Sequence, residues 1–132
     1  MATWDDVRTR ALALPETSER ESRGLAAWWV KDKLFVWERP LRKADYATLG
    51  DSAPDGQILG AKVEHAGAKE ALLADPSGVF FTTPHFDGYA IVLAKLDEID
   101  GEDLDEIVVE AWLAAAPTRL AKSYLDEHGS DG

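Results

Sequence analysis

Three residues with chemically useful side chains, His85, Asp87 and Tyr89, lie within one predicted turn. An imidazole and a carboxylate two positions apart could share a proton or begin a metal site. Catalysis would need a further group with a role, and a metal would need three or four ligands. The alternative is that His85 and Asp87 form hydrogen bonds within their own turn, as aspartate commonly does.

This pattern predicts no catalytic residue, no metal and no cofactor, so we do not expect an enzyme. A serine hydrolase is not indicated either, because no serine has the G-x-S-x-G setting. The turn Pro84–Tyr89 stays a candidate site for a small ligand or a protein partner, with His85, Asp87 and Tyr89 as its contacts.

A short basic cluster suggests a different chemistry. Arg39, Arg42 and Lys43 lie at the end of a predicted strand and the start of a predicted helix, and Lys31 and Lys33 flank the turn before that strand. Arginine offers paired donors that match a phosphate, so the five residues are candidate nucleic-acid contacts. The alternative is a solvated surface whose ion pairs contribute little.

Trp28, Trp29 and Trp37 could form a platform on which bases stack. Side chains alternate along a strand, so Trp28 and Trp29 face opposite sides of their strand. At least one of the two therefore belongs to the core, since aromatic residues on a sheet usually pack.

Two hairpins are predicted to position these residues. The first joins Ala26–Val30 to Lys33–Glu38 through a tight turn at Lys31–Asp32. The second joins Val79–Thr83 to the run after Gly88, with the glycine supplying a positive φ. Both faces of that return run are apolar, so we expect the second hairpin at the centre of the sheet.

The remaining elements are one strand over Ile58–Val63 and five helices, with 16–24 as a polar connection. Apolar residues at helical spacing predict the inward faces. The first three predicted helices are Thr3–Leu14, with Trp4, Val7, Ala11 and Leu12 inward, then Lys43–Leu49, then a helix from Glu64 or His65 to Ala74. The fourth is capped by Asp100, with Leu104, Ile107, Val108, Ala111, Trp112 and Ala115 inward. The last begins at Pro117, with Leu120, Ala121, Tyr124 and Leu125 inward.

This order, α-β-β-α-β-α-β-β-α-α, predicts an α+β fold. We expect a single two-layer domain over residues 1–128, with a mainly antiparallel sheet of about five strands, helices on one side, and a disordered tail at 129–132. The absence of cysteine and of a signal pattern or long apolar run is typical of a cytoplasmic protein that does not enter a membrane.

Charge is distributed unevenly along the 132 residues, whose net charge is −11. Residues 24–49 carry five basic and three acidic side chains, whereas residues 97–132 carry eleven acidic and two basic ones. The acidic helix face at 97–110 could dock a partner or mimic DNA, or it could be a solvated surface. The excess of acid repels nucleic acid at long range.

Three stretches resemble the MmcQ/YjbR-like family of small bacterial proteins: LFVWERPLRKADYATLG (34–50), FFTTPHFDGYAIVLAKL (80–96) and EAWLAAAPTRLAKSYL (110–125). Together with Leu-Pro-Glu-Thr at 14–17, the resemblance covers nearly the whole chain. It implies an α+β fold akin to the frataxin/CyaY type, also described as a double-wing DNA-binding fold.

The sequence therefore leaves two alternative functions. The resemblance and the basic cluster favour a DNA-binding protein whose binding is weak and sensitive to salt. The acidic balance and the Pro84–Tyr89 turn favour a non-catalytic module that binds a protein or a small ligand.

Overall fold

The computed structural model describes residues 2–128, apart from the side chains of Ser22 and His128, so the tail expected at 129–132 lies outside the described residues. Five α-helices accompany one six-stranded sheet of order β1-β2-β3-β4-β6-β5, and every strand pair in it is antiparallel. The predicted α+β class is confirmed, with six strands in place of about five. None of the helices within 2–128 has the length and apolar character needed to cross a membrane.

The elements follow the predicted order except for one added strand. The helices are α1 (Trp4–Leu12), α2 (Lys43–Leu49), α3 (Ala66–Leu73), α4 (Gly101–Ala115) and α5 (Thr118–His128). The strands are β1 (Thr17–Ser22), β2 (Leu25–Val30), β3 (Lys33–Glu38), β4 (Ile58–Lys62), β5 (Phe80–Phe81) and β6 (Ile91–Lys95).

The added strand is β1, which we had expected to be a polar connection. It pairs with β2 over its full length, from Thr17 opposite Val30 to Ser22 opposite Leu25. Arg23 and Gly24 both have positive φ, 53° and 80°, as the tightest hairpin turns require. The strand was missed because TSERES contains no apolar residue, and an edge strand is held largely by its backbone pairing.

The hairpin of β5 and β6 lies at an edge of the sheet, so its expected central position is wrong. Strands β3 and β4 occupy the centre instead. The connection from β5 to β6 contains a single 3₁₀ turn at Pro84–Phe86, and Gly88 has the expected positive φ of 82°.

Helices α1 and α4 pack on one face of the sheet, which we call the helix face. The predicted stripe of α4 is confirmed, since Leu104, Ile107, Val108, Ala111 and Trp112 are all buried. Asp100 caps α4 as predicted, and Thr3 caps α1. The inward placement of Leu12 and Leu125 was wrong, because these side chains are 44% and 48% exposed. Both lie in the outermost turns of their helices, where the helix has begun to leave the core.

The opposite face, which we call the open face, is covered only in part. Ile58 and Leu93 pack there beneath Phe86, with Leu41 beside them. This cover lies over β4 and β6. On the same face of β2 and β3, Trp29, Leu34 and Trp37 stay half-buried. The uncovered part of the sheet positions the candidate site.

Candidate nucleic-acid interface

A row of directly paired residues runs across the open face from the β1 edge of the sheet to its centre. The pairing places Arg20 of β1 beside Ala27 of β2, Ala27 beside Trp37 of β3, and Trp37 beside Gly60 of β4. Side chains in one such row lie on the same face of a sheet. The row therefore carries one cation and one large aromatic ring, with two small residues next to the ring.

Gly60 makes room for the indole of Trp37. A Cβ built at Gly60 would come within 2.5 Å of Trp37 Cε2, much closer than real Cβ atoms approach. The absence of a side chain there lets the indole settle against the backbone of β4. Gly60 interrupts the apolar pattern of its strand because this contact requires a glycine.

Trp29 lies next to Trp37 on the open face. The register places Trp29 opposite Leu34, and a bulge between Trp28 and Trp29 accommodates one extra residue of β3. The guanidinium carbon of Arg20 is 5.2 Å from the centre of the Trp29 ring, which is a cation–π contact. Trp28 points to the helix face and is 0% exposed, so the predicted division of the two neighbouring tryptophans is confirmed.

These side chains form a concave surface of about 280 Å³, which we call the aromatic groove. Ala27, Trp29, Leu34 and Trp37 supply its apolar lining. The charged residues that line it are Arg23, Glu38, Arg39 and Arg42. Glu38 is already engaged, because its Oε1 accepts the Ala26 N–H at 3.3 Å. The groove therefore combines aromatic rings with an excess of positive charge.

Arg39, which we had named as a phosphate contact, is 6% exposed. Its Nη2 donates to the Asp45 carboxylate at 3.2 Å, its Nη1 donates to the Pro40 carbonyl, and its guanidinium lies 5.2 Å from the Phe86 ring centre. Asp45 is buried as well and also accepts the Arg42 N–H at 2.8 Å. Arg39 thus joins β3, α2 and the 3₁₀ turn.

The ionised form of Asp45 is favoured inside this arrangement. Burial is the largest influence on its pKa and raises it. The Arg42 N–H, the charge of Arg39 and the hydrogen bond from Arg39 together outweigh burial, so the pKa of Asp45 lies below its usual value of 3.8.

The other four predicted basic residues, Arg42, Lys43, Lys31 and Lys33, are exposed. Arg42 lines the aromatic groove, and Lys43 begins α2 directly after it. Lys31 and Lys33 lie at the turn between β2 and β3, where Lys31 adopts a positive φ of 52°. The structure thus brings Arg39 and Arg42 together at the groove.

Sequence reasoning missed Arg20 and Arg23, because both fall in the segment that had been assigned to a connection. The signal that could have identified them is the Arg23–Gly24 pair directly before the apolar strand β2. Arg20 donates to the Lys31 carbonyl at 3.2 Å and is 3.9 Å from Asp32, so β1 brings its cation against the turn that carries Lys31.

Lys62 of β4 adds a further positive charge near Lys33. Its pKa is lowered, chiefly by burial and secondly by the charge of Lys33. A like charge that shifts the pKa of Lys62 must be close to it. Lys33 and Lys62 therefore add positive charge on β3 and β4, outside the lining of the groove.

His85, Asp87 and Tyr89 are exposed at the other end of the open face, and Tyr89 is 62% exposed. Lys69 of α3 holds their turn by donating to the carbonyls of Phe86 and Tyr89 at 2.8 and 2.9 Å. The cleft beside His85 and Tyr89 measures about 180 Å³. Among residues 2–128, no group of three or more acidic or histidine side chains could hold a metal ion.

The acidic residues of α4 lie on the other side of the sheet. Helix α4 packs against β3 and β4 on the helix face, with Asp105, Glu106 and Glu110 among its outward residues. Burial, and then the charge of Glu64, raise the pKa of Glu110. The sheet thus separates this acidic surface from the arginines of the groove.

Comparison with known proteins places the chain in a family. The pattern of the YjbR family matches residues 12–114. The chain belongs to the YjbR family. Relatives of this YjbR-family protein include uncharacterised proteins of Mycobacterium tuberculosis and Mycobacterium bovis, each 48% identical over 132 residues that cover 98% of this chain and 100% of the relative.

A solved structure shares the fold of this YjbR-family protein. The structure of a Deinococcus radiodurans protein with a DUF419 domain has a TM-score of 0.67 and 20% sequence identity, covering 98% of this chain and 89% of that one. At this identity the likeness shows the fold alone. The resemblance seen in the three sequence stretches is confirmed as family membership.

Proposed function

We propose that this YjbR-family protein binds DNA through the aromatic groove. The observation that carries the proposal is the pair of half-buried tryptophans, Trp29 and Trp37, on an uncovered sheet face beside exposed arginines. Proteins that bind nucleic acids on a sheet use aromatic rings for the bases and cations for the backbone.

The separation of charge supports the same conclusion. The net charge of −11 repels DNA at a distance, but the acids of α4 lie behind the sheet. DNA that approaches the open face meets Arg23, Arg42 and Lys43 first, because these three are exposed. Arg39 has a positioning role in this proposal, since its guanidinium is engaged with Asp45 and Pro40.

The proposed role is binding without a chemical step. The aromatic groove is lined by arginines, tryptophans and aliphatic residues, and its one carboxylate accepts a backbone N–H. We place this activity in the cytoplasm, where bacterial DNA lies. The Pro84–Tyr89 turn is the second candidate, with clefts of about 180 Å³ beside His85 and about 360 Å³ beside Asp87. It supports DNA binding less well, because neither cleft is lined by an arginine or a tryptophan.

The test is fluorescence anisotropy with labelled DNA over a series of salt concentrations, starting at low ionic strength. Contacts from Arg23, Arg42 and Lys43 to three phosphates give a slope of log K against log salt of about −2.7 for duplex or about −2.1 for single strands. The double variant Arg23→Ala, Arg42→Ala should bind more weakly and reduce the slope by about 1.4–1.8.

A matched control is the double variant Arg119→Ala, Lys122→Ala, which removes the same charge from exposed positions on α5. It should bind DNA like the parent protein, and so should His85→Ala. The proposal is wrong if the parent binds no DNA at low salt, or if both double variants weaken binding equally. If only His85→Ala lost DNA binding, the binding site would lie at the Pro84–Tyr89 turn instead of the aromatic groove.

A further inference from the structure

We infer that the aromatic groove takes unpaired bases, so that the protein prefers single-stranded DNA to duplex. This inference rests on the proposed function and specifies the form of DNA. Its basis is the position of Trp29 and Trp37 inside a concavity that Arg42 also lines, with Arg20 stacked on the ring of Trp29.

The two forms of DNA differ in whether the flat faces of their bases are accessible to a protein. In a duplex the bases stack on one another, and a protein reaches only their edges through the grooves. Reading those edges takes an element that protrudes from the protein, such as a helix or a two-stranded ribbon. Trp29 and Trp37 are half-buried in a groove and do not protrude. Only a base that has left its stack can enter the groove and lie against their rings.

The size of the groove supports the same form of DNA. A volume of about 280 Å³ lies just under the ~300–1,000 Å³ range of sites for larger ligands. Such a space suits a planar ring whose sugar and phosphate remain outside. Gly60 has no side chain and Ala27 has only a methyl group, so the Trp37 ring packs close to the sheet and neither neighbour fills the groove beside it.

Two arginines contribute to this site. Arg20 is stacked on Trp29 at 5.2 Å and is half-exposed; it donates to the Lys31 carbonyl at 3.2 Å and lies 3.9 Å from Asp32. A guanidinium in this setting can stack on a base and contact its phosphate together. Arg42, which lines the groove, can hold the next phosphate, since its side chain is exposed.

The experiment compares the affinities of the protein for two labelled DNA molecules by fluorescence anisotropy at low salt. One is a single strand of ten thymidine nucleotides, and the other is a duplex that presents the same number of phosphates. The single strand should bind more tightly. Trp37→Leu should weaken its binding about 5–150-fold, the equivalent of ~1–3 kcal/mol per stacked base, and leave duplex binding unchanged. Trp4→Leu is the matched control, because Trp4 is also half-buried but lies on the helix face.

A second measurement uses the parent protein and so does not depend on the folding of a variant. Ultraviolet crosslinking to a strand that contains 5-bromodeoxyuridine should yield adducts at Trp29 or Trp37 by mass spectrometry. Equal binding of duplex and single strand with no effect of Trp37→Leu and no such adducts would overturn this inference and leave DNA binding standing. The absence of binding to either form would overturn the proposed function itself.

Discussion

Replacing Trp112 by alanine should lower the free energy of unfolding by about 3–5 kcal/mol, the usual cost of deleting a large buried aromatic. Trp112 is 0% exposed and is the last buried residue of the α4 stripe. Its ring centre is 5.1 Å from that of Tyr124, and its Nε1 donates to the Pro15 carbonyl at 3.0 Å. The substitution therefore leaves a cavity in the core and an unpaired carbonyl after α1.

Urea denaturation of the two proteins measures this difference. Leu113→Ala is the control on the same helix, because Leu113 is the next residue and only half-buried. Leu113→Ala should lower the free energy of unfolding by clearly less than Trp112→Ala does. An unchanged denaturation midpoint in Trp112→Ala would mean that α4 does not pack through this stripe.

The second large effect on stability is expected at the buried ion pair of Arg39 and Asp45. Asp45→Asn should destabilise the protein by about 3–5 kcal/mol, because it leaves the Arg39 guanidinium buried without its counter-charge. The pair is 6% and 4% exposed, so water cannot replace the lost carboxylate. The double variant Arg39→Met, Asp45→Leu should be less destabilised than Asp45→Asn, since it leaves no unpaired charge.

The pH dependence provides an independent check of the pair. The pKa of Asp45 is lowered in the folded protein, so its contribution to stability is complete above the unfolded value, near 3.8. That contribution is lost as the pH falls through the lower folded value. The stability difference between the parent and Asp45→Asn should therefore be constant near pH 7 and narrow below about 3.8. A difference that stays constant in acid would show that Asp45 is not held ionised by Arg39.

Apolar spacing was sufficient to predict most of the fold. The stripe of α4 and the division of Trp28 from Trp29 depend only on the periods of helix and strand. Strand β1 could not be found this way, because Thr17–Ser22 has no apolar residue and owes its state to pairing with β2. The edge position of β5 also depends on long-range pairing, which apolar spacing within one segment does not specify.

The candidate site was predicted only in part, for the same reason. Arg42 and the two hairpin tryptophans were named from local sequence and lie at the groove. The burial of Arg39 depends on Asp45 and on Phe86, a residue far along the chain, so local sequence could not distinguish a structural arginine from a phosphate contact. Arg20 enters the site only because β1 exists.

The most direct test of the groove as the binding surface is the indole N–H region of the NMR spectrum. The protein has five tryptophans, and single Trp→Phe variants assign their signals. A single strand of ten thymidine nucleotides is then added at low salt. The indole signals of Trp29 and Trp37 should shift. Those of Trp28 and Trp112 should not, because both residues are 0% exposed. Binding accompanied by unchanged Trp29 and Trp37 signals would contradict the account.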